Sequence, residues 1–416
     1  MNALQQMLPT VFTAVGFTYA LALFFESVNG FHDTAHAAAT SIASGVFAFR
    51  PIEFRLFGKH YVIELNWTRY WIPVGIACIC NFLGAYYGGE AVALFIPKII
   101  HFTPVPLRLI MAALMAAAGW NLFTWWKEIP VSSTHCLIGA LTGAGIAAVG
   151  SDGVGFKELG MALAGLAAAP FIAYVLALIF AKMIKLVFGK PGTGGRFEQI
   201  LRWLQVVSSM MVSTGHGRND GQKTMGIIAM TSAIAAGTAV PQSIPHWIVL
   251  LCASCIALGT AIGAGKIIRT VGEKLSTRPL TFHDGLAAET ITAGLIHGAS
   301  FIGLPLSTTQ TCTCAVLGAA AGIHSEKAMA WATFKKLCSG TFRDKLRRFS
   351  AFFGLPLPVE DTTSGAVLLE TVGWQEESII NWVTVKDMVK AWLWTFVATV
   401  VAAQVIYVVL KYLGVG

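Results

Sequence analysis

Long apolar stretches make up most of the chain, and its charged residues are collected into a few short runs between them. Only 12% of the 416 residues are charged, against about a quarter in a typical soluble domain. The apolar stretches reach the length of about 20 residues that a helix needs to cross a bilayer. The sequence therefore predicts an all-α, polytopic membrane protein with about 10–12 membrane helices or re-entrant elements.

Basic residues outnumber acidic ones, which gives a formal net charge of +8 and a pI of about 9.1. In a soluble protein this charge would suggest nucleic acid, but here the lysines and arginines flank the apolar stretches, as the positive-inside rule describes. We therefore expect the lipid bilayer of the cell (inner) membrane as the surroundings, and no nucleic-acid partner. The eight cysteines, most of which lie within the apolar stretches, are interpreted as small apolar packing residues.

Residues 30–36, with the sequence GFHDTAH, place ionisable groups inside an apolar stretch. A charged residue there is energetically unfavourable, so it normally faces the interior of a helix bundle and marks a transport pathway. His32 and His36 share a helix face, and together with Asp33 they form a candidate metal site. Glu26 lies two turns before Asp33 and is a candidate proton or cation group. The alternative interpretation of the aspartate is a structural ion pair or a carboxylate that caps a helix.

Two polar motifs occur twice in the chain. In the first half, residues 30–36 are followed by PVSSTH at 130–135; in the second half, GRNDGQK at 217–223 is followed by PLSTTQ at 305–310. The spacing between the two copies is nearly the same for the aspartate motifs as for the proline motifs, and such near-equal offsets indicate two copies of one unit. Two half-chain repeats with interrupted polar elements in corresponding positions predict a transporter whose binding site lies near the bilayer midplane.

The repeat predicts how the chain is divided. The predicted segments are a first transporter repeat (1–188), a linker (189–199), a second repeat (200–323), a polar and cytoplasmic insertion (324–388) and a final transmembrane span (389–416). The glycine-rich composition of the linker marks it as a boundary. We expect the first membrane span to end near residue 29, where the polar motif begins.

These four motifs, in this order, resemble the inorganic phosphate transporter (PiT) family, and most of all its bacterial low-affinity phosphate permeases. The family carries a G-x-N-D-type signature in each half, followed by a P-V-S-S/T-T-H element. The resemblance covers about residues 10–325 and the last span. It implies a fold of two inverted repeats, with phosphate bound at the centre and carried together with a cation.

The resemblance implies a phosphate site made from the two aspartate motifs and two hydroxyl clusters. Hydroxyls and helix N-termini donate to phosphate oxygens, while a carboxylate accepts the proton of a protonated phosphate. The implied ligands are Asp33, Ser132, Ser133, Thr134, Asn219, Asp220, Ser307, Thr308 and Thr309. The alternative interpretation of the hydroxyl clusters is helix capping, which uses the same groups.

The chain differs from its sodium-coupled relatives at three positions that bear on the identity of the coupling cation. Those members carry asparagine at the positions of His32, His36 and Lys223, and an amide oxygen ligates Na⁺ whereas an ammonium does not. We therefore favour H⁺ over Na⁺ as the co-transported cation and expect no cofactor. His135 is a further coupling candidate, but in the second copy Gln310 stands where the family has histidine.

Other hypotheses stay open at this point. An intramembrane serine hydrolase would use Ser132 or Ser133 with His135 and an aspartate, although no oxyanion-hole glycine motif surrounds either serine. A permease for sulfate or another tetrahedral oxyanion is a closer rival, but sulfate offers no proton for two carboxylates to accept. Glu289 is a further proton or cation candidate. A divalent metal carried with the phosphate, and a homodimer, are also considered.

Overall fold

The protein is described from a computed structural model. The described residues are 14–47, 52–56, 59–63, 66–189, 191, 196–263, 274–324, 359–360, 367–368 and 380–415. Within them the fold is helical with two short antiparallel hairpins, which confirms the predicted all-α class. Most of the predicted insertion, 324–388, lies outside the described residues.

The first half contains six helices and one hairpin among its described residues. In chain order these are α1 (Ala14–Ser44), β1 (Ile52–Leu56), β2 (Lys59–Ile63), α2 (Asn66–Tyr87), α3 (Ala91–Phe95), α4 (Leu107–Trp126), α5 (Ser133–Val149) and α6 (Phe156–Phe188). In the hairpin, Ile52 pairs with Ile63 and Leu56 with Lys59. Short 3₁₀ turns follow α3 and α5.

The second half repeats this pattern of long helices. Its described elements are α7 (Arg196–Ala236), α8 (His246–Gly263), α9 (Phe282–Phe301), α10 (Thr308–His324), β3 (Val359–Glu360), β4 (Val367–Leu368) and α11 (Trp382–Tyr412). α9 begins with a capping box, in which the side chains of Thr281 and Asp284 each accept a hydrogen bond from the other's backbone N–H.

Six helical stretches of the described chain are long and apolar enough to cross a membrane. They are α1, Tyr70–Tyr87 of α2, α4, Ser133–Gly153, α6 and α11. The apolar part of α8, His246–Ile262, is shorter. α7 has 41 residues, which at 1.5 Å per residue make it about 60 Å long, and its buried side carries polar residues. The protein is therefore a polytopic integral membrane protein.

The helices that carry the aspartate motifs are continuous. We expected a first span ending near residue 29 and a separate piece after the motif, but α1 runs without a break through Asp33, and α7 runs through Asp220. The polar side chains find hydrogen-bond partners on neighbouring helices, so the backbone has no need to unwind around them. Each aspartate motif therefore places polar residues within an apolar helix without breaking the helix.

Glycines of the two motifs let helices from opposite halves touch. A Cβ on Gly30 of α1 would lie 2.3 Å from the backbone oxygen of Ile256 in α8, and one on Gly217 of α7 would lie 2.1 Å from that of Asn81 in α2. The spacing along the chain from Gly30 to Gly217 equals the spacing between the two aspartate motifs. The spacing from Asn81 to Ile256 equals the spacing between the two proline motifs. The two contacts are therefore copies of each other, exchanged between the halves.

The same exchange relates the outer helices. A Cβ on Gly143 of α5 would lie 2.1 Å from the backbone oxygen of Val400 in α11, and one on Gly318 of α10 would lie 2.1 Å from that of Tyr174 in α6. α5 thus packs on α11, the long helix after α10, and α10 packs on α6, the long helix after α5. A two-fold axis between the two copies produces this pattern. This supports two repeats, while their inversion across the membrane stays a prediction.

Candidate functional site

The two repeated aspartates lie side by side in the interior. Asp33 on α1 is 1% exposed and Asp220 on α7 is fully buried. The Ser133 hydroxyl makes a short hydrogen bond to Oδ2 of Asp33 and lies 3.3 Å from Oδ2 of Asp220. The Thr309 hydroxyl donates to Oδ1 of Asp33 at 3.0 Å. Since Ser133 and Thr309 belong to the first turns of α5 and α10, both helix N-termini converge on Asp33.

The serines that precede these donors are helix caps. The side-chain oxygen of Ser132 accepts a hydrogen bond from the backbone N–H of His135 at 3.1 Å, and that of Ser307 accepts one from the backbone N–H of Gln310 at 3.2 Å. The capping interpretation therefore applies to Ser132 and Ser307. The hydroxyls that reach the carboxylates come from the residues after them.

Lys223 brings a positive charge to the two carboxylates. Its Nζ lies 2.8 Å from Oδ1 of Asp220 and donates a hydrogen bond to the Thr134 hydroxyl. Thr134 in turn donates to the backbone oxygen of Leu306 at 2.8 Å. Lys223 is 1% exposed, and a buried ammonium needs such a charged partner. The lysine thus connects α7, α5 and the residues that lead into α10.

His32 lies against Asp33, the aspartate of the first half. Its Nδ1 is 2.8 Å from Oδ1 of Asp33, and its Nε2 is 3.2 Å from the Thr124 hydroxyl on α4. The ring is fully buried. The side chain of His36 lies outside the described residues, so its part in the predicted metal trio stays a prediction.

Known proteins are similar in sequence to this chain over most of its length. Residues 62–194 and 190–341 match the Phosphate transporter family. A probable low-affinity inorganic phosphate transporter of Bacillus subtilis is 38% identical over 76% of this chain and 88% of the relative. This chain belongs to the phosphate transporter family. That result confirms the resemblance to the PiT family, and because these relatives are transporters, it excludes the serine hydrolase hypothesis.

Two further comparisons agree with this membership of the phosphate transporter family. The low-affinity inorganic phosphate transporter PitB of Escherichia coli is 24% identical over 72% of this chain and 87% of the relative. The solved structure of a sodium-dependent phosphate transporter matches with a TM-score of 0.67 at 20% identity, covering 96% of this chain and 99% of that one. The latter likeness shows that the fold is shared.

Two polar residues beside Asp33 and Asp220 were not predicted from the sequence. With its amide nitrogen turned toward the site, Asn29 donates to Ser133 Oγ at 2.8 Å and reaches Oδ2 of both Asp33 and Asp220 at 3.2 Å. His216 Nε2 lies 3.6 Å from Oδ2 of Asp220. Asn29 and His216 are separated by the same offset as the two aspartates, so the repeat offset was the signal that could have found them.

Asn219 and Thr308 were predicted as ligands and have different surroundings. The Asn219 amide donates to the Ser300 hydroxyl at 2.9 Å, and its oxygen accepts from the backbone N–H of Leu306 at 3.3 Å. Asn219 therefore holds the segment that leads into α10. The Thr308 hydroxyl is buried and has no hydrogen-bond partner among the described residues. It is thus a donor that a bound anion can use.

Two further carboxylates, Glu26 and Glu289, lie in the seam between helices, which is the buried region where α1 contacts α7 and α9. Glu26 is fully buried and accepts a short hydrogen bond from the Thr224 hydroxyl on α7. Glu289 on α9 accepts hydrogen bonds from Thr40 and Ser41 of α1 and, at 2.6 Å, from Ser208 of α7. α1 thus makes polar contacts on both sides of Asp33. Before Asp33, its Glu26 contacts α7, and after Asp33, its Thr40 and Ser41 contact Glu289 of α9.

The structure groups a different set of potential metal ligands from the predicted trio of His32, Asp33 and His36. One ligand atom from each of Asp33, His216 and Asp220 lies within 4.8 Å of the other two, and all three residues are buried. His32 contributes its Nδ1 to a hydrogen bond with Asp33. Among the described residues, His216 is therefore the histidine that shares a space with both carboxylates.

Proposed function

We propose that this protein imports inorganic phosphate across the cell (inner) membrane by symport with protons, and that phosphate binds where α5 and α10 begin. The observation that carries the proposal is the Ser133 hydroxyl, which lies within hydrogen-bond distance of Asp33 and Asp220. One group thereby joins the aspartate motifs of both halves. A site shared by two repeats is typical of alternating-access transporters.

The donors around the carboxylates suit a tetrahedral oxyanion. Hydroxyls of Ser133, Thr134, Thr308 and Thr309 stand at two helix N-termini, whose free N–H groups and positive dipole ends favour anions. Lys223 adds a full positive charge. We propose that phosphate enters between these donors and takes over hydrogen bonds that Ser133 and Thr309 now make to Asp33.

The carboxylates favour phosphate over sulfate, the rival substrate. Near neutral pH phosphate carries a proton, so Asp33 or Asp220 can accept a hydrogen bond from it. Sulfate has no such proton, and its oxygens would face buried carboxylate oxygens with nothing between them. Two acceptors in the same site therefore select for a protonated anion.

The contacts of His32 support proton coupling. Nε2 of His32 lies 3.2 Å from the Thr124 hydroxyl, whose oxygen also lies within hydrogen-bond distance of the backbone oxygens of Trp120 and Asn121. The other ring nitrogen faces Asp33 at 2.8 Å. A proton bound by the His32 ring or by the Asp33 carboxyl can pass between the two groups across this contact. We propose that this proton travels with phosphate.

Lys223 supports a mechanism without sodium. Its ammonium occupies the side of Asp220 that faces Thr134, where sodium-coupled members have an amide. A fixed charge there would do part of the work of a co-transported cation. Glu26 and Glu289 are proposed as further proton groups along the seam, and His135 keeps its proposed coupling role. A metal carried with the phosphate and a homodimer also stay proposals.

Uptake of labelled phosphate into liposomes containing the purified protein tests the substrate and the site. We expect uptake by the wild type, competition by arsenate and none by an equal concentration of sulfate. Asp33→Asn should abolish uptake, while the exposed aspartate variant Asp152→Asn serves as a matched control and should transport normally. Wild-type rates from Asp33→Asn, or equal competition by sulfate, would contradict the proposed site.

A further inference from the structure

We infer that Arg218 binds phosphate in transit, at an access site that lies beside the central site and leads into it. This inference rests on the proposed phosphate transport and adds a residue to it, because Arg218 makes none of the hydrogen bonds that the structure describes around the two aspartates. It stands on three observations: the depth of Arg218 along α7, the lack of an acceptor for its guanidinium, and the exposed helix face on which it lies.

Arg218 lies at the same depth along α7 as the central site. It precedes Asn219 and Asp220 on a continuous helix, so its Cα lies about 3 Å along the helix axis from that of Asp220. About 33 Å of the helix precedes Arg218 and about 27 Å follows it. An ionised side chain this far from both ends of a helix in a membrane protein normally marks a pathway for an ion or a substrate.

The guanidinium of Arg218 has no hydrogen-bond acceptor and no acidic partner within the part of the chain that the structure describes. Its Nε is buried and unpaired. Neighbouring carboxylates are used elsewhere: Asp220 pairs with Lys223 at 2.8 Å, and Glu90, in the connection between α2 and α3, accepts from the backbone N–H of Ile244 at 2.9 Å. A cation that is removed from water without a counter-ion is unfavourable, so this charge attracts an anion from outside the protein.

Arg218 stands at the end of an exposed face of α7. Val207 and Met211 share this face at helical spacing; they are 53% and 46% exposed and apolar, as contact with lipid requires. Arg218 is half-buried on the same face, and one turn later Gln222 is buried against the connection between α2 and α3. Because a guanidinium is unfavourable in hydrocarbon, the space beside Arg218 must admit water, and with it a hydrated anion.

Gly88 and Gln222 shape the place where the arginine lies. A Cβ on Gly88 would lie 2.6 Å from Cγ of Arg218, so the glycine provides the room for the stem of the arginine. The Gln222 side chain donates to the backbone oxygen of Gly88 at 3.0 Å and accepts from the backbone N–H of Val92 at 2.8 Å. The glutamine thereby fixes the backbone against which the arginine stem rests.

The first half has an aromatic residue at the corresponding position. The spacing from Phe31 to Arg218 equals that between the aspartate motifs, and the Phe31 ring packs edge-on against Trp125 with the ring centroids 5.2 Å apart. An aromatic pair keeps water and charge away, whereas a guanidinium attracts both and its planar fork matches two oxygens of a phosphate. We therefore assign the access site to the second half alone.

Kinetics of labelled phosphate uptake into liposomes test the access site. Arg218→Gln should raise the KM for phosphate about 10-fold at nearly unchanged kcat, because a charge-assisted hydrogen bond contributes at least this factor to binding. Arg218→Lys keeps the charge but loses the fork, and should give an intermediate KM. Lys157→Gln removes an exposed cation and serves as the control with a wild-type KM. Because Arg218 has no partner to lose among the described residues, Tm of Arg218→Gln should stay within about 2 °C of the wild-type value.

Chemical restoration of the charge separates phosphate binding from a structural role. In Arg218→Cys, a methanethiosulfonate reagent that attaches a trimethylammonium group should return the raised KM toward the wild-type value, whereas one that attaches a sulfonate should raise it further. The wild type treated with the same reagents measures the effect on the native cysteines, and its KM should change less than about twofold, since the seven described ones are buried or half-buried.

Three results would overturn the inference: a wild-type KM in Arg218→Gln, a Tm of that variant far below the wild-type value, or equal effects of the two reagents on Arg218→Cys. A lipid headgroup phosphate held by Arg218 would give the first result, because its concentration does not vary with that of the substrate. Failure of the proposed function is distinguishable from these results, since the wild type itself would then take up no phosphate.

Discussion

Replacing Lys223 with methionine should destabilise the protein through Asp220. The ammonium lies 2.8 Å from Oδ1 of Asp220, and the pair is at most 1% exposed. Removing one partner of a buried ion pair leaves an uncompensated charge and costs about 3–5 kcal/mol. At about 2 °C per kcal/mol, the value for large domains, Lys223→Met should lower Tm by roughly 6–10 °C.

The double variant Asp220→Asn/Lys223→Met separates charge from packing. It removes both members of the pair, and replacing a buried pair as a whole is often close to neutral. We therefore expect most of the lost Tm to return, although neither variant should transport phosphate. Tm would be measured by intrinsic fluorescence in detergent, with the exposed Lys157→Met as control, which should lie within about 0.5 kcal/mol of the wild type.

Either of two results would show that Lys223 does not stabilise the protein by compensating the charge of Asp220. One is a Lys223→Met protein as stable as the wild type, which would mean that Asp220 needs no cation. The other is a double variant no more stable than the single variant, because the loss would then come from packing and not from the unpaired carboxylate.

Three further variants test the packing and the roles of individual side chains, and a fourth tests a buried carboxylate. Gly217→Ala should abolish a monodisperse peak in size-exclusion chromatography, because its Cβ would lie 2.1 Å from a backbone oxygen, whereas Gly119→Ala has open space and should be tolerated. Ser307→Ala should cost about 1 kcal/mol as a lost cap and keep phosphate uptake, while Thr309→Val should raise the KM for phosphate. Glu289→Leu leaves hydroxyl donors without an acceptor and should lower Tm by an amount that corresponds to about 1–3 kcal/mol. Unchanged behaviour of any of these variants would contradict the contact it removes.

The sequence predicted the fold class and the repeat because both depend on patterns along the chain. Apolar length predicts membrane helices, and the near-equal offsets of the two motif pairs predict which helices correspond. The contacts of Gly30 and Gly217 with α8 and α2 follow the same offsets. The continuity of α1 and α7 was not predictable in this way, because the partners that let a polar motif stay helical come from other helices.

The composition of the site was predicted in part. Asp33, Asp220, Ser133 and Thr309 were found from the motifs, and the structure brings them together. Asn29 and His216 were missed, because the role of a lone polar residue one turn before each aspartate depends on the helix that faces it. The choice of Ser133 over the capping Ser132 likewise depends on side-chain directions at the start of a helix.

Phosphate accumulation driven by defined ion gradients distinguishes proton coupling from sodium coupling. Liposomes containing the wild-type protein would receive either an inward proton gradient without sodium or an inward sodium gradient at equal pH. We expect that the proton gradient alone drives accumulation, that a protonophore abolishes it, and that the sodium gradient adds nothing. Accumulation that requires sodium and ignores the proton gradient would contradict proton coupling.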